Sequence, residues 1–95
     1  MKCARLTMDT DYHDLTWIGK GEQSDLERLF DHMAEAGFHA TTWDTFWCGT
    51  ATYRSRMLPV FRNAAGWDTA YRLAAILQEW DPLALALQLG KERGI

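Results

Sequence analysis

The chain has 95 residues, a formal net charge of −3 and 47% apolar residues, a balance typical of one folded domain and not of a disordered chain. The chain has ten basic and 13 acidic residues, and charges of one sign are not grouped in runs. This pattern disfavours a nucleic-acid-binding surface and a polybasic membrane surface. No apolar segment is long enough to span a bilayer, and the amino terminus lacks the apolar core of a signal peptide. We therefore expect a cytoplasmic protein with no membrane partner.

The first half of the chain predicts a strand, a loop, a helix and a second strand. Residues 3–8 have strand composition, and the Asp-, Gly- and Thr-rich residues 9–21 indicate a loop. Ser24-Asp25-Leu26-Glu27 has the pattern of a capping box at the start of a helix, and Gly37 is typical of its end. The β-branched and aromatic residues of His39 to Phe46 then favour the second strand.

The second half predicts a long irregular segment followed by two helices. Residues 45–67 contain scattered Gly and Pro and no regular apolar period. Asp68 is placed to cap a helix over residues 69–79. Asp81-Pro82 opens a third helix, because Asp suits the N-cap and Pro the first helical position, and Gly94 ends it.

The lengths of the connections predict two parallel strands of an α/β fold. The loops that follow each strand are long, whereas the turn from the first helix to the second strand is short, as in β/α barrels. Residues 35–38 and 92–95 share a form in which Gly ends a helix and an apolar residue follows. Two strands cannot complete a parallel sheet. We therefore expect residues 1–95 to be the amino-terminal portion of a (β/α)8 TIM barrel, which takes ~250 residues when complete.

Two polar and aromatic clusters follow the predicted strands, at residues 9–14 and 43–49. Since the carboxyl ends of parallel strands meet at one edge of a sheet, we expect both clusters to lie on the same face. Carboxylates accept hydrogen bonds from sugar hydroxyls, and flat aromatic rings suit the C–H faces of sugar rings. The candidate substrate-binding residues are Asp9, Asp11, Tyr12, Trp43, Asp44, Trp47, Tyr53 and Arg54.

The same residue types also fit structural roles. Trp43 suits a core position, and Asp44 suits the cap of a turn. His13 has no partner at the spacing of a metal site, so no metal is expected. The chain has no glycine-rich phosphate-binding or dinucleotide motif, so no cofactor is expected either. Cys3 and Cys48 are predicted at opposite ends of the sheet, too far apart for a disulfide.

Several short motifs resemble the amino-terminal part of glycoside-hydrolase-like TIM barrels, in particular the bacterial hypothetical glycosyl hydrolases described as family-10-like. They are Arg5-Leu6-Thr7 leading to Asp9, Ala36-Gly37-Phe38, the strand His39 to Phe46, Tyr53-Arg54-Ser55, and Asp81-Pro82-Leu83-Ala84 to Glu92-Arg93-Gly94-Ile95. The resemblance covers nearly all of this chain but a small part of such a barrel. It implies a carbohydrate substrate, and it implies that the catalytic carboxylates lie on later strands, commonly the fourth and seventh. No catalytic residue is therefore assigned to this chain.

Two other interpretations fit the pattern. The chain could begin another α/β-barrel enzyme, such as an isomerase, an epimerase or a metal-dependent hydrolase, in which His13 and the acidic residues would have different roles. It could also be a small stand-alone α/β module that binds a partner through its aromatic residues.

Overall fold

Two parallel strands joined through a helix form the centre of the computed structural model, which describes residues 5–95. β1 is Leu6–Thr10, α2 is Gln23–Glu35 and β2 is Phe38–Trp43. The pairing confirms the predicted parallel arrangement, and the chain folds as a mixed α/β domain.

The remaining elements surround this strand pair. They are α1 Tyr12–Trp17, β3 Phe46–Trp47, β4 Thr50–Ala51, a short 3-10 turn at Asp68–Ala70, α3 Tyr71–Glu79 and α4 Pro82–Arg93. Within residues 5–95, none of the helices combines the length and the apolar character that crossing a membrane requires.

The bounds of both strands differ from the prediction by a few residues. β1 extends to Thr10, and β2 ends at Trp43, the residue that pairs with Thr10. The register accounts for this, because Thr41 Oγ1 donates to Met8 O at 2.7 Å and the backbone N–H of Asp44 donates to Thr10 O at 3.0 Å. The chain then leaves the sheet. Cys3, on which the predicted separation of the two cysteines depended, lies outside the described residues.

The predicted loop over residues 9–21 is wrong in its middle, where α1 forms. Asp11 caps this helix, with its carboxylate accepting from the backbone N–H of His13 at 3.0 Å. Thr16 Oγ1 donates to the backbone oxygen of His13 at 2.8 Å, and Tyr12, His13 and Thr16 are buried. Six residues are too few to show a helical period, so long-range burial stabilises this helix and the sequence pattern does not reveal it.

The predicted capping box at Ser24 is also wrong, because the N-cap and the start of α2 lie two residues earlier. Glu22 is the N-cap, and the carboxylate of Asp25 accepts from the backbone N–H groups of Gly21 at 3.0 Å and Glu22 at 3.2 Å. These hydrogen bonds lower the pKa of Asp25, and the bond from Gly21 has the larger effect. Gly37 follows the helix with φ 84°, which confirms the predicted end.

The segment between β2 and α3 is irregular, as predicted, but it contains a small hairpin. β3 and β4 pair antiparallel through Cys48 and Gly49, whose φ values of 51° and 76° give the two-residue turn that hairpins favour. Farther along, Ala51 N donates to Pro59 O at 2.8 Å and Phe61 N donates to Ala51 O at 2.9 Å. These bonds order the segment internally, and the buried ring of Phe61, which belongs to the hydrophobic core, holds it against the domain.

α4 has the ends that the sequence predicts. Asp81 caps it, with Oδ1 accepting from Leu83 N at 3.0 Å, and Pro82 is its first residue. Gly94 ends it in the left-handed conformation with φ 71°. α2 packs against α4, and α1 packs against α3. The core between these helices consists of Tyr12, Leu26, Phe30, Met33, Phe61, Ala70, Leu73, Ala74, Ile76, Leu77, Ala86 and Leu89.

Candidate functional site

Four carboxylates gather at the carboxyl ends of β1 and β2. The register pairs Thr10 with Trp43, so the two strands end side by side. Partial desolvation raises the pKa of Asp44, and the negative charges of Asp9, Asp11 and Asp14 raise it further. The structure therefore brings together the two predicted clusters of acidic residues, and it adds Asp14, which the sequence analysis did not select.

Each carboxylate is held differently. Asp9 Oδ1 accepts from Thr42 Oγ1 at 2.7 Å, which ties β1 to β2, whereas the carboxylate of Asp11 is engaged as the cap of α1. The backbone of Asp44 is fixed by a bond to Thr10, and its carbonyl accepts from Thr52 Oγ1 at 3.1 Å. Asp44 is exposed, and its carboxylate accepts no hydrogen bond from residues 5–95. This leaves its oxygens open to an external donor.

A row of rings from Trp17 through His13 and Trp47 to Trp67, here called the aromatic ribbon, begins on α1 beside the acidic cluster. The ring of His13 stacks on Trp47 with centroids 4.0 Å apart and lies 5.8 Å from Trp17. Trp47 and Trp67 are 5.1 Å apart. Trp17 is 57% exposed and Trp67 is 44% exposed, so the two ends of the ribbon are accessible to solvent. Its middle is less accessible, because His13 is buried and Trp47 is half-buried.

His13 is the residue whose position the sequence analysis missed. Its side chain is only 5% exposed, and neither ring nitrogen has a hydrogen-bond partner among the described residues. Its contacts are instead the ring faces of Trp17 and Trp47. His13 and Trp17 are four residues apart, the spacing of neighbours on a helix. This spacing predicts a contact between the two rings only if residues 12–17 are assigned to a helix, and that assignment depends on recognising Asp11 as its cap.

Tyr12 and Trp43 face the core. Tyr12 is 0% exposed, and its hydroxyl donates to Gly21 O at 2.6 Å. Burial raises the pKa of Tyr12 strongly, which keeps the phenol protonated. Trp43 is half-buried and stacks on Tyr12 with centroids 5.9 Å apart. Both residues therefore pack on the core side of the strand ends. Tyr12 has no exposed surface that a ligand could contact.

Tyr53 and Arg54 lie beyond the hairpin. Tyr53 is half-buried and follows Thr52, which is bonded to the backbone of Asp44. Arg54 lines a cleft against α3 whose lining includes none of the four carboxylates. The predicted set is thus divided: Asp9, Asp11, Asp44 and Trp47 belong to the strand-end region, and Arg54 belongs to another surface.

No family model matches the chain, and searches of curated proteins and of solved structures found no match. Within residues 5–95, no group of three or more His, Cys, Asp or Glu side chains is arranged to hold a metal ion. The side chains of the strand-end region therefore determine what it can bind. They provide several hydrogen-bond acceptor oxygens, including those of Asp44, whose pKa is raised, and the accessible ring of Trp17 on α1.

Replacing Asp44 with asparagine is expected to raise the melting temperature at neutral pH. An acid whose pKa is raised above its ordinary value of 3.8 binds its proton more tightly in the folded state. The wild type therefore loses stability as pH rises from about 4 through the folded pKa, and the penalty is complete above it. Thermal unfolding across pH should show a gain for Asp44→Asn at about pH 7 that vanishes below about pH 4.

The matched control for this prediction is Glu27→Gln, which removes an exposed carboxylate from α2 away from the carboxyl-terminal end of the helix. It should not show the same pH-dependent gain. A lower melting temperature for Asp44→Asn at neutral pH would show that its carboxylate makes a stabilising contact instead of a repulsive one.

Proposed function

We propose that the chain contributes a carbohydrate-binding surface to a glycoside-hydrolase-like (β/α)8 barrel, with the sugar bound at the carboxyl ends of β1 and β2. The observation that carries this proposal is the gathering of four carboxylates at the aligned ends of two parallel strands, beside exposed tryptophan rings. In β/α barrels, sites are built at this end of the strands.

The chemistry of the acidic cluster suits a polyhydroxylated ligand. Each ionised carboxylate accepts hydrogen bonds at two oxygens, and vicinal sugar hydroxyls offer donors in pairs. Asp44 is exposed with its oxygens unoccupied, whereas Asp9 and Asp11 are oriented by Thr42 and by the backbone of α1. The exposed ring of Trp17 offers an apolar surface of the kind that packs against the C–H face of a sugar.

The exposed surface of the strand pair supports the barrel part of the proposal. Parallel sheets are normally covered on both faces, yet Leu6 is 45% exposed, and Thr7, Ala40 and Thr42 are also exposed. A groove of about 160 Å³ runs beside β2, lined by Ala40 and Trp43 on one side and by residues of α4 including Leu87 on the other. The apolar side chains of this groove are open to solvent, and a neighbouring element of a larger fold would bury them.

The proposed role of these acidic residues is binding and not bond cleavage. Glycoside hydrolysis requires two carboxyl groups at a defined separation on either side of the glycosidic bond. By its resemblance to barrel glycosidases, the chain precedes the strands that carry that pair. Asp9, Asp11 and Asp44 would then hold and orient sugar hydroxyls near the scissile bond.

Tryptophan fluorescence and ligand-observed NMR with neutral oligosaccharides, such as cello-, xylo- and chito-oligomers, test the binding surface. We expect saturable binding of one class, and a loss of about tenfold in affinity for Asp44→Asn, because asparagine keeps one acceptor oxygen but loses the negative charge and the second acceptor. Glu35→Gln, near the opposite ends of the strands, is the control for binding, and its affinity should match the wild type. No binding by any oligomer, or an equal loss in both variants, would contradict the proposal.

The gene sequence tests the barrel directly. Strand–helix sequence continuing for ~150 residues or more past the codon for residue 95 would support it, whereas an in-frame stop codon would favour a stand-alone module. Hydrolytic activity of the full-length protein that a chelator abolishes would point to a metal-dependent hydrolase instead.

A further inference from the structure

Residues 45–67 have a charge opposite to that of the rest of the chain. They contain Arg54, Arg56 and Arg62 and not one aspartate or glutamate, although the whole chain carries a net charge of −3. The four carboxylates described above lie outside this segment. A local excess of three positive charges in an acidic protein is a feature that a ligand-binding role would explain and that folding alone does not require.

The fold brings these three arginines to one place. All of them line a cleft of about 830 Å³ between the segment after the hairpin and the end of α3. Ser55 and Gln78 add hydrogen-bonding side chains, and Asp81, the cap of α4, is the one acidic residue among the cleft residues. The cleft is large enough for a small phosphorylated metabolite.

The three arginines are not neutralised by the described part of the protein. Within residues 5–95, none of them forms an ion pair, whereas Arg72 binds Glu22 at 2.6 Å and Arg93 binds Asp31 at 2.7 Å. Arg54, Arg56 and Arg62 are all exposed. Their guanidinium groups are therefore available to an anion from solution.

The backbone that carries these arginines is well fixed. Ser55 Oγ accepts from the backbone N–H groups of Met57 at 3.1 Å and Leu58 at 2.9 Å, which closes a turn that contains Arg56 and directly follows Arg54. Arg62 lies between two buried residues, Phe61 and Asn63, exposed by 5% and 6%.

Asn63 anchors the chain after Arg62. Its side-chain amide donates to Trp67 O at 2.9 Å, and its side-chain oxygen accepts from Trp67 N at 3.1 Å. Three charged groups projecting from fixed backbone lose less entropy on binding than groups on a mobile loop would.

We infer that this cleft binds a phosphorylated small molecule, with Arg54, Arg56 and Arg62 holding the phosphate and Ser55 and Gln78 contacting the remainder. Guanidinium groups match the oxygens of a phosphate in bidentate pairs, and a dianionic phosphate ester has enough acceptors for three of them. A monocarboxylate offers two oxygens and one charge, so it matches the set less well. The inference rests on the arginine cleft alone and is independent of the proposed carbohydrate surface.

Calorimetric titration of the full chain tests this inference, with inorganic phosphate, a hexose phosphate, the unphosphorylated hexose and acetate as probes. We expect the hexose phosphate to bind most tightly, inorganic phosphate to bind more weakly, and acetate not to bind. Any binding of the unphosphorylated hexose would belong to the strand-end surface and should be unaffected by substitution of the cleft arginines. Arg54→Gln, Arg56→Gln and Arg62→Gln should each weaken the affinity about tenfold, because each removes a charge-assisted hydrogen bond.

Two further variants separate a specific site from a general attraction of anions. Arg28→Gln removes the same charge from the surface of α2, outside the cleft, and should leave the affinity unchanged. Asp81→Asn retains a good helix cap while removing the negative charge from the cleft, so it should strengthen binding. Circular dichroism spectra and melting temperatures would show that each variant is folded.

The inference would be overturned if no phosphate compound bound, or if the cleft variants weakened binding of the unphosphorylated hexose as much as that of its phosphate. It would also be overturned if Arg28→Gln weakened binding of the hexose phosphate as much as the cleft variants. Tighter binding of a mixed-sequence oligonucleotide than of the hexose phosphate would assign the arginines to polyanion attraction and would also overturn it.

Discussion

Replacing Phe30 with alanine is expected to lower the free energy of unfolding by about 3–5 kcal/mol, a large part of the stability of a domain of this size. Phe30 is 1% exposed in the centre of α2, with its ring 6.1 Å from that of Trp43 and beside Gly90 of α4. Its loss leaves a cavity where α2, β2 and α4 meet. Urea or thermal unfolding followed by circular dichroism measures the change.

Leu87→Ala is the control for this prediction. Leu87 is 66% exposed on α4, and its truncation should change the free energy of unfolding by no more than about 0.5 kcal/mol. If Phe30→Ala cost no more than Leu87→Ala, the packing of α2 against α4 would not be a principal source of stability.

Gly21→Ala is expected to lower the free energy of unfolding by about 1–3 kcal/mol. Replacing glycine with alanine more often stabilises a protein, where the backbone and the space around it allow the change. A Cβ at this position would lie 2.8 Å from Thr16 Cγ2 and 3.4 Å from the Tyr12 hydroxyl oxygen. The backbone cannot move away freely, because Gly21 O accepts from Tyr12 and Gly21 N donates to Asp25. Chemical unfolding of the variant and the wild type measures the loss.

A second substitution distinguishes this steric cause from others. Thr16→Ser removes the methyl group that the new Cβ would meet, and serine can keep the hydrogen bond to His13 O. The combined variant should therefore recover about half of the loss, which a double-mutant cycle detects as a coupling energy between the two sites. Strictly additive effects would show that the clash with Thr16 is not the reason.

Features set by local sequence were predictable. Asp81-Pro82 and Gly94 bound α4 as expected, since capping and left-handed conformations depend on single residues. Gly37 ended α2 for the same reason, and the contrast of long and short connections predicted the parallel pairing of β1 and β2. For the two helix ends the determining residues lie within a few positions of the structure that they specify, whereas the strand pairing was indicated by the lengths of the connections.

Features set by distant contacts were not predictable. α1 is stable because Tyr12 and His13 are buried against residues far along the chain. The start of α2 was missed for a different reason: two overlapping local capping patterns occur there, and the one formed by Glu22 and Asp25 is used. For the candidate site, residue type indicated the carboxylates at the strand ends, but only the fold shows Tyr12 in the core and Arg54 in another cleft. Side-chain direction at such positions depends on packing and not on composition.

The pairing of β1 with β2 has a consequence for the order of folding. The bond from Thr41 to Met8 joins residues 33 positions apart, whereas the hairpin from β3 to β4 closes through a two-residue turn. A long flexible segment makes such a pairing slow, but α2 lowers the entropy cost of closing the loop because its 13 residues are no longer flexible once they are helical. Formation of α2 therefore brings the two strands within reach of each other. Early formation of α2 is therefore expected to speed assembly of the edge that carries the acidic cluster.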